Sequence, residues 1–206
     1  MLDNKTKTKI GILGGTFNPI HIGHLLLAQN SLEFCDLSKV LIMPSGCSYL
    51  KDQSLILPKK DRINMVKLAI EDNPLFELST IETDREGDTY TFETLLQLTD
   101  ENPNNIYYFI IGADTLFSIE TWKNPQIIFD NAKIIVAPRD VDGIDELNIQ
   151  AKKLQSQFNV DIIILDTPCF NISSTQIRNN LKQGKSLKYY IPDRVLEYIN
   201  NNNLYN

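Results

Sequence analysis

The chain has 206 residues, 42% of them apolar and 22% charged, the balance of a globular domain rather than of a disordered or fibrous chain. A formal net charge of −6 argues against nucleic acid as a partner, although a local nest of amides and a few cations can still hold a phosphate. Its apolar runs are too short to cross a bilayer, and the polar, lysine-rich start MLDNKTKTKI does not resemble a signal peptide, so no membrane partner and a cytoplasmic location are expected.

In chain order, KIGIL (9–13) reads as a buried strand, and the glycine turn behind it leads into a helix carrying Leu25, Ala28 and Leu32. KVLIMP (39–44) is the next strand, followed by the loop PSGCSYLKDQSLILP. A helix is expected from about Pro58 to Asp72 with Ile63, Val66 and Ile70 on one face, since Pro58 suits a first turn and Asn73-Pro74 a stop. FELSTIET (76–83) alternates like a half-exposed strand, and after REGDTY the stretch FETLLQL is helical. IYYFIIG (106–112) and KIIVAP (133–138) are buried strands, Asp145 to Phe158 a helix, and VDIIIL (160–165) a further strand. Behind Ser173 the chain is helical twice, broken by Gly184 and restarted at Pro192.

Continuous apolar strands alternating with helices predict an α/β fold, a mostly parallel sheet with helices on both faces. In such sheets ligands bind beyond the carboxyl ends of the strands, where the chain order reverses. GGTFNPIHIGH, PSGCSYLK, GADTLF, APRD and ISSTQIR all follow predicted strands and are expected to gather on that edge. Cys35, Cys47 and Cys169 have no CxxC spacing and are expected to be unpaired thiols.

GGTFNPIHIGH holds His21 and His24, the chain's two histidines. Strand, glycine turn and helix start together present backbone N–H groups and a positive dipole end to an anion. The segment lacks GK[ST] and GxGxxG, so it is neither a P-loop nor a dinucleotide fingerprint. At i, i+3 the imidazoles would point the same way and donate to phosphate oxygens, while the plainer alternative is a pair that caps or packs the helix. Zinc is disfavoured, because no third ligand is at hand. In ISSTQIR (172–178), Ser173 or Ser174 is a natural N-cap and Arg178 lies on the face of Ser174, so hydroxyls, amides and a guanidinium again crowd a helix start. Two such starts suit a triphosphate. Asp114 could accept from ribose hydroxyls or start a helix, Trp122 could be core or a stacking plate, Lys51 a phosphate partner or a solvated cation, and Thr89, Tyr90 and Thr91 could cap the helix behind them.

With these segments in view, the chain resembles the pyridine-nucleotide adenylyltransferases, which join ATP to a mononucleotide. GGTFNPIHIGH is similar to the family's glycine-rich segment ending in histidine and ISSTQIR to its ISSTxIR segment, and the likeness runs from about Lys9 to Tyr205 through TYTFETL, IIGAD and YYIPDRVLEYINNNNLY. HIGH at 21–24 also occurs in class I aminoacyl-tRNA synthetases, but no KMSKS-like segment accompanies it here. Phosphopantetheine adenylyltransferases are nearer, yet their phosphate segment is ISSSxVR-like.

The resemblance implies a Rossmann-like nucleotidylyltransferase fold, residues 1–206 forming one domain with a C-terminal helical portion, 173–206, that closes the ATP site. It implies a backbone cradle of Gly14, Gly15, Thr16 and Phe17, with His21 and His24 on the ATP phosphates, Asp114 on the adenosine ribose, and Ser174, Thr175 and Arg178 on the triphosphate. His21, His24 and Arg178 would be catalytic. Asn18, Lys51, Thr91 and Trp122 would face the mononucleotide, and Mg²⁺ would enter on the ATP phosphates rather than in a protein cage. The partners implied are ATP and nicotinate mononucleotide, and a homo-oligomer is compatible with the sequence. Two positions depart from the bacterial pattern, Asn18 in place of Asp and SYLK (48–51) in place of PPH(K/R), so nicotinamide mononucleotide stands as the alternative acceptor, with phosphopantetheine a more distant one.

Overall fold

The fold is seen in a computed structural model that describes residues 7–46, 56–138, 143–168 and 171–205. Its elements are β1 (Thr8–Gly15), α1 (Ile22–Phe34), β2 (Lys39–Pro44), α2 (Lys59–Ile70), β3 (Phe76–Leu78), α3 (Thr91–Glu101), β4 (Asn105–Gly112), α4 (Ala113–Ser118), α5 (Pro125–Asn131), β5 (Lys133–Ala137), α6 (Ile144–Phe158), β6 (Ile162–Ile164), α7 (Ser174–Lys182) and α8 (Asp193–Asn201). The six strands run in the order β3-β2-β1-β4-β5-β6, the Rossmann order. The chain order reverses between β1 and β4, which pair in parallel from Thr8 with Asn105 to Leu13 with Ile110. β1 runs directly into the glycine segment and β4 into Ala113-Asp114.

Backbone proximity groups the chain into two compact units. The first comprises Met1–Leu13, Ala28–Leu41 and Tyr90–Cys169. There β4 buries Tyr107 through Ile111 without a break, so both of its faces are covered, as a parallel strand requires. β5 continues the sheet in parallel register with Ile134, Ile135 and Val136 fully buried. The second unit comprises Gly14–Leu27, Ile42–Thr89 and Phe170–Asn206. In it α2 and α8 pack together: Tyr198 on α8 donates to Asp61 Oδ1 at 2.8 Å and accepts from Asn64 at 2.9 Å, while Arg194 pairs with Glu71.

Several expectations are revised. FELSTIET keeps only Phe76–Leu78 as strand, because local hydrogen bonds capture its hydroxyls: Thr80 Oγ1 donates to Asp84 at 2.7 Å and Thr83 Oγ1 to the Thr80 carbonyl at 2.9 Å. VDIIIL likewise shrinks to Ile162–Ile164. The buried face of α2 is Arg62, Met65, Val66, Ala69 and Ile70, with Ile63 only half-buried. Between Gly112 and Lys133 the chain forms α4, a 3-10 turn and α5, pieces too short to show a helical period. Among the described residues no helix is long and apolar enough to cross a membrane. Cys35 is a free thiol, and Cys47 and Cys169 lie outside the described residues.

Candidate functional site

In the second unit, residues 15–24 form a loop and helix start whose carbonyls are largely taken. The Gly15 carbonyl accepts from Ser45 N–H at 2.8 Å and the Thr16 carbonyl from Arg62 Nη1 at 2.9 Å. The Asn18 carbonyl accepts from Arg178 Nη1 at 2.8 Å and the Pro19 carbonyl from Ser174 Oγ at 2.8 Å. In a trans peptide the N–H lies opposite the preceding C=O, so Arg62's hold on Thr16 turns the Phe17 N–H the other way. The N–H groups of Phe17 and Gly23 bond no described residue, whereas that of Ile22 is taken by the Tyr190 carbonyl at 2.9 Å. Phe17 sits in the left-handed region at φ 48 with its ring buried. A Cβ on Gly15 would lie 2.9 Å from that ring, the reason the second glycine is needed.

The two histidines are stacked, with centroids 3.6 Å apart and an interplanar angle of 21°, and the Phe17 ring meets His24 edge-on at 5.0 Å. The His21 carbonyl accepts from the N–H groups of His24 and Leu25 and so begins α1. His24, in the third helical position, accepts the His21 N–H on Nδ1 at 3.2 Å, the role Glu or Gln plays in a capping box. His24 thus caps the helix start, and the contact fixes a tautomer: a neutral His24 carries its hydrogen on Nε2. His21 is 4% exposed, and burial lowers its imidazole to about 4, so it is neutral at physiological pH. Its Nδ1 is buried without a hydrogen-bond partner, close to the position a Cβ on Gly23 would take, at 3.1 Å.

Helix α7 supplies the second set of groups. Ser173 is the N-cap and accepts from Gln176 N–H at 3.2 Å. Ser174 and Arg178 grip adjacent carbonyls of the loop, and Arg178 Nη2 also donates to Thr175 Oγ1 at 3.2 Å. The two segments singled out in the sequence, 155 residues apart at the Ser174–Pro19 bond, are thus joined.

Two members of this assembly carried no signal in a motif. Arg62 is buried on the apolar face of α2 and also donates from Nε to the Leu57 carbonyl at 3.2 Å. No described carboxylate pairs with it, and burial lowers it from its ordinary value, so carbonyl oxygens carry the cost of burying this cation. Tyr205 donates to Asn18 Oδ1 at 2.9 Å. Burial raises its phenol, against the opposing pull of Arg178 and Arg62, and keeps it a donor. Asn18 itself is 4% exposed and its Oδ1 also accepts from Leu57 N–H at 3.2 Å.

The first unit holds three of the remaining candidates. Asp114 is exposed in the first turn of α4. Thr91 opens α3 behind Tyr90, which makes no side-chain cap. Trp122 is half-buried, edge-on to Phe109 at 6.3 Å, so it is not a core residue in full, and Lys123 beside it lies 3.9 Å over the Tyr90 ring. Lys51 lies outside the described residues. Among the described residues no group of three or more His, Cys, Asp or Glu could hold a metal ion.

The family described as cytidylyltransferase-like matches residues 12–180. A probable nicotinate-nucleotide adenylyltransferase of Lachnoclostridium phytofermentans is 41% identical over 191 residues, covering 93% of this chain and 96% of its own. The one of Clostridium tetani is 40% identical over 197 residues, covering 96% and 98%. Among solved structures, Plasmodium falciparum nicotinic acid mononucleotide adenylyltransferase complexed with NaAD superposes with a TM-score of 0.80 at 23% identity, covering 96% of this chain and 97% of its own, a likeness of fold.

Proposed function

The chain belongs to the cytidylyltransferase-like family, among its nicotinate-nucleotide adenylyltransferase relatives, and on that premise we propose that it transfers the adenylyl group of ATP to nicotinate mononucleotide, giving deamido-NAD and pyrophosphate. The observation that carries this reading is the union of the two segments: Ser174 and Arg178 on the loop carbonyls, with the Phe17 and Gly23 amides and the histidine pair on the same loop and helix start.

A 5′-phosphate oxygen of the mononucleotide attacks the α-phosphorus in line. The new P–O bond forms as the bond to the bridging oxygen breaks, and pyrophosphate leaves with that electron pair. A phosphate monoester is largely dianionic near neutral pH, so no side chain has to remove a proton. The protein's task is to bring two anions together and to stabilise the charge that builds on the transferring group. Amides, neutral imidazole donors and the fixed guanidinium of Arg178 suit that task. His21, neutral by burial, contributes as a dipole rather than as a charge.

ATP enters as its complex with a divalent cation, which we take to be Mg²⁺, held by phosphate and water oxygens, because the groups around the loop are hydrogen-bond donors rather than cation ligands. In the same proposal Gly14, Gly15, Thr16 and Thr175 line the triphosphate, Asp114 meets the ribose, and Lys51, Thr91 and Trp122 serve the mononucleotide, while Asn18, expected at the mononucleotide, acts instead through the shape of the loop because it is buried with its Oδ1 taken. We further propose one domain over 1–206, its portion 173–206 closing the ATP site, working in the cytoplasm.

Pyrophosphate release tests the reading. The pure protein is supplied with ATP, Mg²⁺ and, in turn, nicotinate mononucleotide, nicotinamide mononucleotide and phosphopantetheine. Turnover is expected with nicotinate mononucleotide, and the ratio to nicotinamide mononucleotide measures acceptor choice. Turnover with neither pyridine nucleotide refutes the function.

A further inference from the structure

The geometry points to Tyr205, near the end of the chain, as a positioning residue for the proposed reaction: its hydroxyl holds Asn18 and, through Asn18, the loop that carries the phosphate-facing amides. The inference rests on the adenylyl-transfer reading for its catalytic consequence and on geometry alone for the contact.

Asn18 is a hub. Its carbonyl is gripped by Arg178 at 2.8 Å, and its side-chain Oδ1 accepts from Leu57 N–H at 3.2 Å and from Tyr205 at 2.9 Å. With Oδ1 taken from both sides inside the protein, Asn18 acts on the loop's shape. The Tyr205 bond spans 187 residues of sequence, so it cannot be a local accident of the turn.

Helix α8 is anchored on α2 through Tyr198, Asn64 and Asp61, and buries Val195 and Ile199. It ends in a Schellman motif: Asn203 takes the left-handed conformation at φ 50, its N–H donates to the Asn200 carbonyl at 3.2 Å, and Leu204 N–H donates to the Ile199 carbonyl at 3.0 Å. That turn sets the direction in which Tyr205 leaves the helix. Arg62 and Arg178, whose charges bear on the Tyr205 phenol, each hold a carbonyl of the same loop, at Thr16 and Asn18. The loop is thereby braced by α2, α7 and the segment behind α8 together. Small displacements of positioning groups cost as much as about 100-fold in rate, so release of one of these braces is expected to lower kcat by about tenfold.

The test is a double-mutant cycle with Tyr205→Phe, Asn18→Ala and the pair. Pyrophosphate release is measured at saturating MgATP and nicotinate mononucleotide, with kcat expressed per ATP-binding site and thermal melting followed alongside. Tyr205→Phe is expected to lower kcat about tenfold at unchanged ATP stoichiometry, and the double variant to be no slower than Asn18→Ala, because Asn18→Ala already removes the Tyr205 bond together with that of Leu57. A purely structural role would lower the melting temperature and leave kcat per site unchanged. Wild-type kcat in Tyr205→Phe, or losses that multiply in the double variant, overturns the inference. If the wild type releases no pyrophosphate with either pyridine nucleotide, the reaction has failed and the contact is judged separately, from the rise in melting temperature that ATP induces: non-additive loss across the cycle sustains it and additive loss overturns it.

Discussion

Acidification isolates the buried imidazole of His21. A histidine in the unfolded chain takes its proton near 6.5, whereas burial lowers the folded one to about 4. Above the unfolded value both states are neutral and the native state is at its full stability; as pH falls from 6.5 toward 4 the unfolded state binds a proton that the folded state refuses, and stability is lost. At 1.36 kcal/mol per pH unit, that gap is worth about 3 kcal/mol, and for a chain of this size it corresponds to a fall of about 10 °C in melting temperature. Other groups titrate over the same range, so the quantity to measure is the difference between wild type and His21→Asn, melted at intervals from about pH 7 to about pH 4. The wild type should lose stability more steeply by that amount. Because the chain contains just two histidines, imidazole proton NMR offers an independent reading: one of two resonances should stay fixed until the pH nears 4. Parallel melting curves, or two resonances that both titrate near 6.5, would refute the account of His21 as a buried neutral donor.

Other expectations follow from the same geometry. His24→Gln keeps an acceptor for the His21 N–H, so its melting temperature should stay close to wild type while kcat falls far more than KM rises; a normal kcat with weakened ATP binding would remove His24 from transition-state stabilisation. Gly23→Ala puts a methyl 3.1 Å from His21 Nδ1, on a ring already stacked on His24, and should lower kcat by about tenfold or more in the pyrophosphate assay. Trp122 fluorescence should be quenched by nicotinate mononucleotide and not by ATP, and absence of quenching by either ligand counts against stacking on the pyridine ring.

What was legible in the sequence and what was not divides along a physical line. IYYFIIG and KIIVAP could be read as strands because burial on both faces demands continuous apolar residues, and that demand is local. ISSTQIR could be read as a capped helix start because a hydroxyl cap and an arginine one turn on have a fixed spacing in any helix. FELSTIET misled because its alternation is equally compatible with hydroxyls that close a turn, and the competition is settled by neighbours the pattern does not contain. Arg62 and Tyr205 were illegible for a stronger reason: their partners are the Thr16 carbonyl, 46 residues away, and the Asn18 side chain, 187 away, groups with no sequence signature as acceptors. Arg62 did leave one trace, since it shares the stripe of Met65, Val66 and Ala69, and a cation on the buried face of a helix must be bonded to something. The same reasoning changes the standing of Asn18. As a letter it marked where this chain departs from the bacterial pattern; as a buried hub its amide oxygen takes two donors without bringing a negative charge beside loop carbonyls that already lean on two arginines, so its effect on acceptor choice is expected to travel through the loop's shape.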